Sequence, residues 1–108
     1  MTFGERLREL REERDVTQKA LAEVLGVSPR MVSFYESGAH FLSDGEQLCR
    51  LADYFDVTTD YLLGRSALRS PDQAKRFNML LTALPEAERK SIMDYSEYLL
   101  SRHRRSQK

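Results

Sequence analysis

The sequence predicts an all-α protein: five short helices in quick succession, followed by a two-helix segment. Three observations carry this expectation. Apolar residues recur at three- and four-residue intervals, as one face of a helix requires, and no run alternates with period two for long enough to make a strand. Start and stop signals crowd residues 1–64, with Thr17 and the Ser28-Pro29 pair as starts and Gly26 and Gly64 as stops. Charge then changes sign: residues 1–64 hold 7 Lys and Arg against 12 Asp and Glu, a net −5, whereas residues 65–108 hold 10 against 5, a net +5.

Phe3, Leu7 and Leu10 lie at i, i+4 and i+7, one stripe of a first helix that runs to about Glu13 and breaks at Asp15-Val16. Thr17 caps a second helix whose apolar side is Leu21, Ala22, Val24 and Leu25. Gly26 ends it where a left-handed residue is wanted. Ser28 then caps a third helix, and Pro29 occupies its first position with φ already set. After Gly38 the stretch AHFLSDG is a loop. A fourth helix begins near Asp44 with Leu48, Leu51, Ala52 and Phe55 inward, and Thr58 or Thr59 caps a short fifth that stops at Gly64. Ser70-Pro71-Asp72 opens a sixth helix and Leu84-Pro85-Glu86 a seventh, with acidic residues at its start and basic ones at its end, as the helix dipole favours.

A chain of 108 residues with 41% hydrophobic and 31% charged residues is a globular, water-soluble protein. The expected organisation is a domain over 1–64, a linker at 65–70, a helical hairpin at 71–102 and a frayed basic tail at 103–108. No apolar run approaches the roughly 18 residues of a membrane span. The opening MTFGERLREL is not a signal peptide, so the expected location is the cytoplasm. One cysteine, Cys49, excludes an intramolecular disulfide; beside Leu48, it is expected as a small core or boundary residue. His40 and His103 have no clustered partners, and no nucleophile elbow, phosphate loop or spaced carboxylate pair occurs. Neither a metal, a cofactor nor an enzyme is expected.

The third helix has two unlike faces. At about 100° per residue, Ser33, Ser37, Arg30 and Phe34 fall within about 140° of Pro29 on one side, with Val32 and Tyr35 opposite. The outward face thus offers a cation, hydroxyls and a ring at the end where unpaired N–H groups and the positive dipole also point. That is what major-groove reading needs. Ala22 is small where a crossing helix must approach, Gly26 permits the turn, and Val32 fills the angle. Gln18, Ala22, Gly26 and Val32 together have helix-turn-helix spacing.

With those residues in place, TQKALAEVLGVSPRMVSFYESG followed by LCRLADYFDVTTDYLLG resembles the Cro/phage-repressor (XRE-type) helix-turn-helix family over residues 3–64. The resemblance implies a five-helix, lambda-repressor-like DNA-binding domain and a bacterial or phage transcription regulator. It implies that Ser28, Pro29, Arg30, Ser33 and Phe34 face the groove. Gln18 would touch phosphate beside Thr17, with Ser37 and His40 as further phosphate contacts. Arg11 and Glu36 would form a structural salt bridge. The chain departs from the family pattern in having Ala39-His40 where Lys or Arg is common, no proline near Leu42, a longer SDG loop, and Phe34 where many members are polar. Phe34 has two readings, packing on a thymine methyl or against the fourth helix or the following loop. Arg30 likewise has two, a guanine or a phosphate.

The C-terminal half also has two readings. Phe77, Leu80, Leu81, Leu84, Ile92, Tyr95 and Leu99 either dimerise with a second copy or fold back on the fourth and fifth helices. One short helix pair buries little by itself, which favours dimerisation. The expected function is a double-stranded DNA-binding repressor acting as a homodimer on a palindromic operator, open to a protein or peptide regulator. The alternative is an antitoxin or anti-regulator whose main partner is a protein bound by the C-terminal helices.

Overall fold

The computed structural model describes residues 1–106. Among them are seven helices and no strand: α1 (Phe3–Glu13), α2 (Gln18–Leu25), α3 (Pro29–Ser37), α4 (Gly45–Phe55), α5 (Thr59–Leu62), α6 (Pro71–Ala83) and α7 (Glu86–Ser106). Residues 107 and 108, the end of the expected basic tail, lie outside the described residues. The chain divides into two units, the first running from Met1 to Ala74 and the second beginning at Lys75.

Local chemistry sets the helix ends of the first unit. Thr2, Thr17, Ser28, Asp44 and Thr58 each accept from an N–H that the following helix cannot satisfy itself. Each such cap is worth about 1 kcal/mol. Gly26 (φ 69°) and Gly38 (φ 86°) take the left-handed conformation at the ends of α2 and α3, where a Cβ would be strained. Behind Gly26, the Val27 N–H closes on Ala22 O at 3.0 Å and sharpens the turn between α2 and α3.

Leu7, Leu10, Leu21, Leu25, Val32, Leu42, Leu51, Phe55 and Leu62 are almost wholly buried in one core, with Ala22, Tyr35 and Val57 beside them. Each large side chain there contributes about 1.5–3 kcal/mol by leaving water. Long polar side chains tie the helices together at their ends. Arg14 Nη2 donates to Phe55 O at 2.8 Å, closing α4, and Gln47 Nε2 donates to Leu25 O at 2.9 Å, closing α2. Gly4 has a different role: a Cβ there would run into the backbone carbonyls of Tyr35 and Glu36. Its bare backbone lets the start of α1 lie directly on the end of α3.

The first unit continues past Gly64 through the stretch expected as a linker. Thr58 N–H donates to Arg69 O at 3.0 Å and Thr58 Oγ1 to Leu68 O at 3.0 Å. Arg69 reaches Glu13 at 2.6 Å and lies over the Tyr61 ring. Residues 65–70 are therefore strapped to α1 and α5. Cys49 is exposed, against the core or boundary position expected for it. One residue past half-buried Leu48 is about 100° around the helix, enough to leave the face that Leu51, Ala52 and Phe55 bury.

Neither α6 nor α7 buries a described residue. α7 continues to Ser106, through most of the stretch expected as a frayed tail. His103, Arg104 and Arg105 stand in its last turn, where cations favour a helix.

Candidate nucleic-acid interface

α3 is held from behind and open in front. Val32 is fully buried and Tyr35 nearly so, whereas Ser28, Pro29, Arg30 and Ser37 are exposed and Ser33 and Phe34 half-buried. The helix starts where Ser28 Oγ accepts from Met31 N–H at 3.1 Å, with Pro29 at the first position. Pro29 has no N–H to leave unpaired, and Ser28 satisfies those of Met31 and Val32.

Along that face three side chains touch in series. The Arg30 guanidinium carbon lies 5.4 Å from the Phe34 ring centre. The Phe34 ring meets the His40 ring edge-on at 5.1 Å. The loop after α3 makes this possible by folding back, with His40 N–H donating to Phe34 O at 3.2 Å. Ser37 Oγ donates to the same carbonyl at 3.2 Å and accepts from Ala39 N–H at 3.3 Å. Phe34 therefore contacts both Arg30 and His40 of the following loop. Arg30 pairs with no carboxylate among the described residues.

Beneath this face lies a second arrangement. Glu36 is nearly buried, its side chain 5% exposed, and receives Arg11 through two bonds, Nε to Oε2 at 2.7 Å and Nη2 to Oε1 at 3.2 Å. Arg11 Nη1 also donates to Val16 O at 3.0 Å. The hydrogen bond to Glu36 holds the Arg11 proton more tightly than in a free arginine, outweighing the opposing effect of burial. Gln18 Nε2 donates to Glu36 Oε1 at 3.2 Å. An amide nitrogen carries two N–H groups, and Glu36 takes one of Gln18's. Thr17 caps that start, accepting from Ala20 N–H at 3.0 Å.

The structure thus gathers Thr17 and Gln18 at one helix start, Arg30, Phe34 and His40 in one contact series, and Arg11 with Glu36 behind them. The residues expected to dimerise lie on the two C-terminal helices, except Leu84 in the bend between them; Phe77, Leu80, Tyr95 and Leu99 are exposed, while Leu81, Leu84 and Ile92 are half-buried. Sequence reasoning missed Gly4, Gln47 and the Arg14 contact to Phe55 O. Only Gly4 left a signal, a glycine inside an otherwise good helical stripe.

This geometry has known counterparts. Residues 7–62, more than half of the chain, match the family model described as helix-turn-helix (HTH_3). The chain belongs to the helix-turn-helix family. Over 103 residues it is 32% identical to the cryptic phage CTXphi transcriptional repressor RstR of Vibrio cholerae, covering 95% of this chain and 91% of that protein. It is 33% identical over 78 residues to the HTH-type transcriptional regulator ImmR of Bacillus subtilis, covering 72% of this chain. ImmR is the longer protein, and the match spans 61% of it. Among solved structures, the P22 c2 repressor protein in complex with a synthetic operator superposes with a TM-score of 0.56 at 32% identity, covering 61% of this chain and 98% of that one. As a helix-turn-helix protein of this type, the chain falls among DNA-binding transcription regulators, not enzymes. These relatives give the antitoxin alternative no specific support. No described helix is long and apolar enough to cross a membrane.

Proposed function

We propose that this protein is a cytoplasmic repressor that binds a palindromic double-stranded DNA operator as a homodimer. α3 enters the major groove with Ser28, Pro29, Arg30, Ser33 and Phe34 toward the base edges, while Thr17, Gln18, Ser37 and His40 meet phosphates. The observation that carries this is the contrast within α3. Val32 and Tyr35 fix the helix to the core, while Arg30, with no carboxylate partner, stands at the exposed N-terminal end, where the helix dipole favours an anion. Glu36 supports the same surface by orienting Gln18 at the start of α2.

Dimerisation through Phe77, Leu80, Leu81, Leu84, Ile92, Tyr95 and Leu99 would place two copies of α3 in successive grooves roughly 34 Å apart. Repression follows from occupying promoter DNA, and a protein or peptide acting on α6 and α7 could relieve it. The test is selection from a random duplex library with wild type and Arg30→Ala in parallel. A palindromic motif for wild type, with preference lost at one symmetric pair of positions in the variant, is the expected result. Enrichment of nothing by a folded wild-type protein overturns the proposal.

A further inference from the structure

Arg30 and Phe34 are one helical turn apart on α3, and the guanidinium lies over the phenylalanine ring at 5.4 Å. The ring also contacts His40, with ring centres 5.1 Å apart, and the loop carrying His40 is bonded back to Phe34 O at 3.2 Å. Nor does an ion pair draw Arg30 away: among the described residues it has no carboxylate partner. A cation and an apolar ring are therefore held side by side on the exposed face of α3.

Successive bases along one strand are about 3.4 Å apart, so two groups at this separation suit neighbouring positions better than a single base. Arginine pairs with guanine O6 and N7, whereas an apolar side chain favours a pyrimidine C5 methyl. In the major groove, the C5 substituent of a pyrimidine 5′ to a guanine projects beside that guanine's O6 and N7 edge. We propose that Arg30 and Phe34 act as one reader of a methyl-bearing pyrimidine–guanine step, with Arg30 on the guanine and Phe34 against the methyl. This rests on the assignment of α3 to the groove.

Two steps carry the required groups: thymine–guanine and 5-methylcytosine–guanine. Uracil–guanine and unmethylated cytosine–guanine lack only the methyl. Operator affinity then depends on one methyl group per half-site, and cytosine methylation at that step restores the methyl, though not the O4 acceptor, that a thymine-to-cytosine change removes.

The experiment uses the full chain and the duplex obtained by selection, with thymine at the step replaced by uracil, cytosine or 5-methylcytosine. Wild type should bind uracil about fourfold more weakly than thymine, and cytosine about fourfold more weakly than 5-methylcytosine, per half-site, the worth of one buried methyl. Phe34→Ala should bind thymine and uracil alike, and cytosine and 5-methylcytosine alike, and Phe34→Leu, which keeps an apolar group should the smaller residue unfold the protein, should retain part of the preference. If wild type selects a palindrome that depends on Arg30 yet binds uracil and thymine equally, the methyl reader is wrong and the proposed function stands. A selected motif without a thymine–guanine or cytosine–guanine step also overturns it. No motif at all removes both.

Discussion

Glu36 and Arg11 meet where α1 crosses α3, joined by two hydrogen bonds of 2.7 and 3.2 Å with the side chains 5% and 14% exposed. A pair so removed from water contributes less by its attraction than it would cost if broken. Removing one partner leaves the other buried and uncompensated. Glu36 also holds Gln18, so the pair links stability to the start of α2.

Glu36→Ala should accordingly lower the unfolding free energy by about 3 kcal/mol, read as a lower midpoint in urea. Glu36→Gln keeps a carbonyl oxygen for one Arg11 bond and should cost less. If Glu36→Ala unfolds at the wild-type midpoint, the pair is not structural.

Gly4→Ala should also destabilise the first unit, for a steric reason. The added Cβ meets the carbonyls of Tyr35 and Glu36, which are backbone and cannot rotate aside. The cost should be about 1–3 kcal/mol, as for overpacking in a core, although alanine is the better helix former. Thermal unfolding of Gly4→Ala checks this, and a gain in stability would show that α1 can slide away from α3 freely.

Much of this was legible in the sequence because its signals are local. Thr17, Ser28 and Asp44 announce their helices within three residues, and Gly26 and Gly38 mark ends that require positive φ. The outward position of Arg30 and Phe34 follows from helical period alone. What sequence could not give are contacts between distant segments. Gln47 reaching Leu25 O, Arg14 reaching Phe55 O and Thr58 holding residues 68 and 69 depend on how helices cross, which no periodicity encodes. Leu42 is an instance in the other direction, a core leucine inside a stretch readable only as loop. Cys49 was misplaced because its helix face turns on a single residue's offset from Leu48.

The Glu13–Arg69 pair gives a pH dependence of known sign. The hydrogen bond from Arg69 lowers the Glu13 carboxyl below its usual range, only partly opposed by desolvation. A group depressed on folding stabilises above its unfolded value, about 4.3 for glutamate, and that contribution is lost as pH falls through the lower folded value. The carboxyl resonance of Glu13 should therefore titrate below the ordinary glutamate midpoint and return to it in Arg69→Ala. Since both side chains are substantially exposed, added salt should shrink the shift. An unshifted midpoint in wild type would mean that residues 65–70 are not clasped by this pair in solution.

The C-terminal helices carry the last prediction. Phe77, Leu80, Tyr95, Tyr98 and Leu99 are all more than two-fifths exposed, and Tyr95 stacks on Tyr98 with ring centres 6.3 Å apart. Tyrosines of this kind are frequent energetic centres of interfaces, where truncation costs about 2 kcal/mol or more. If these faces join two copies, Tyr95→Ala should weaken the dimer roughly 30-fold, the equivalent of about 2 kcal/mol, and Leu99→Asp should do so further by burying a charge. Sedimentation equilibrium across protein concentration reads the constant directly. Thermal unfolding of the first unit should not move in either variant, because that unit has its own core of Leu7, Leu21, Val32, Leu51 and Phe55. Operator binding should weaken in parallel with dimerisation, since one half-site contact cannot replace two. A wild-type protein that stays monomeric at every concentration would refute the dimer and leave these aromatic faces to a different partner.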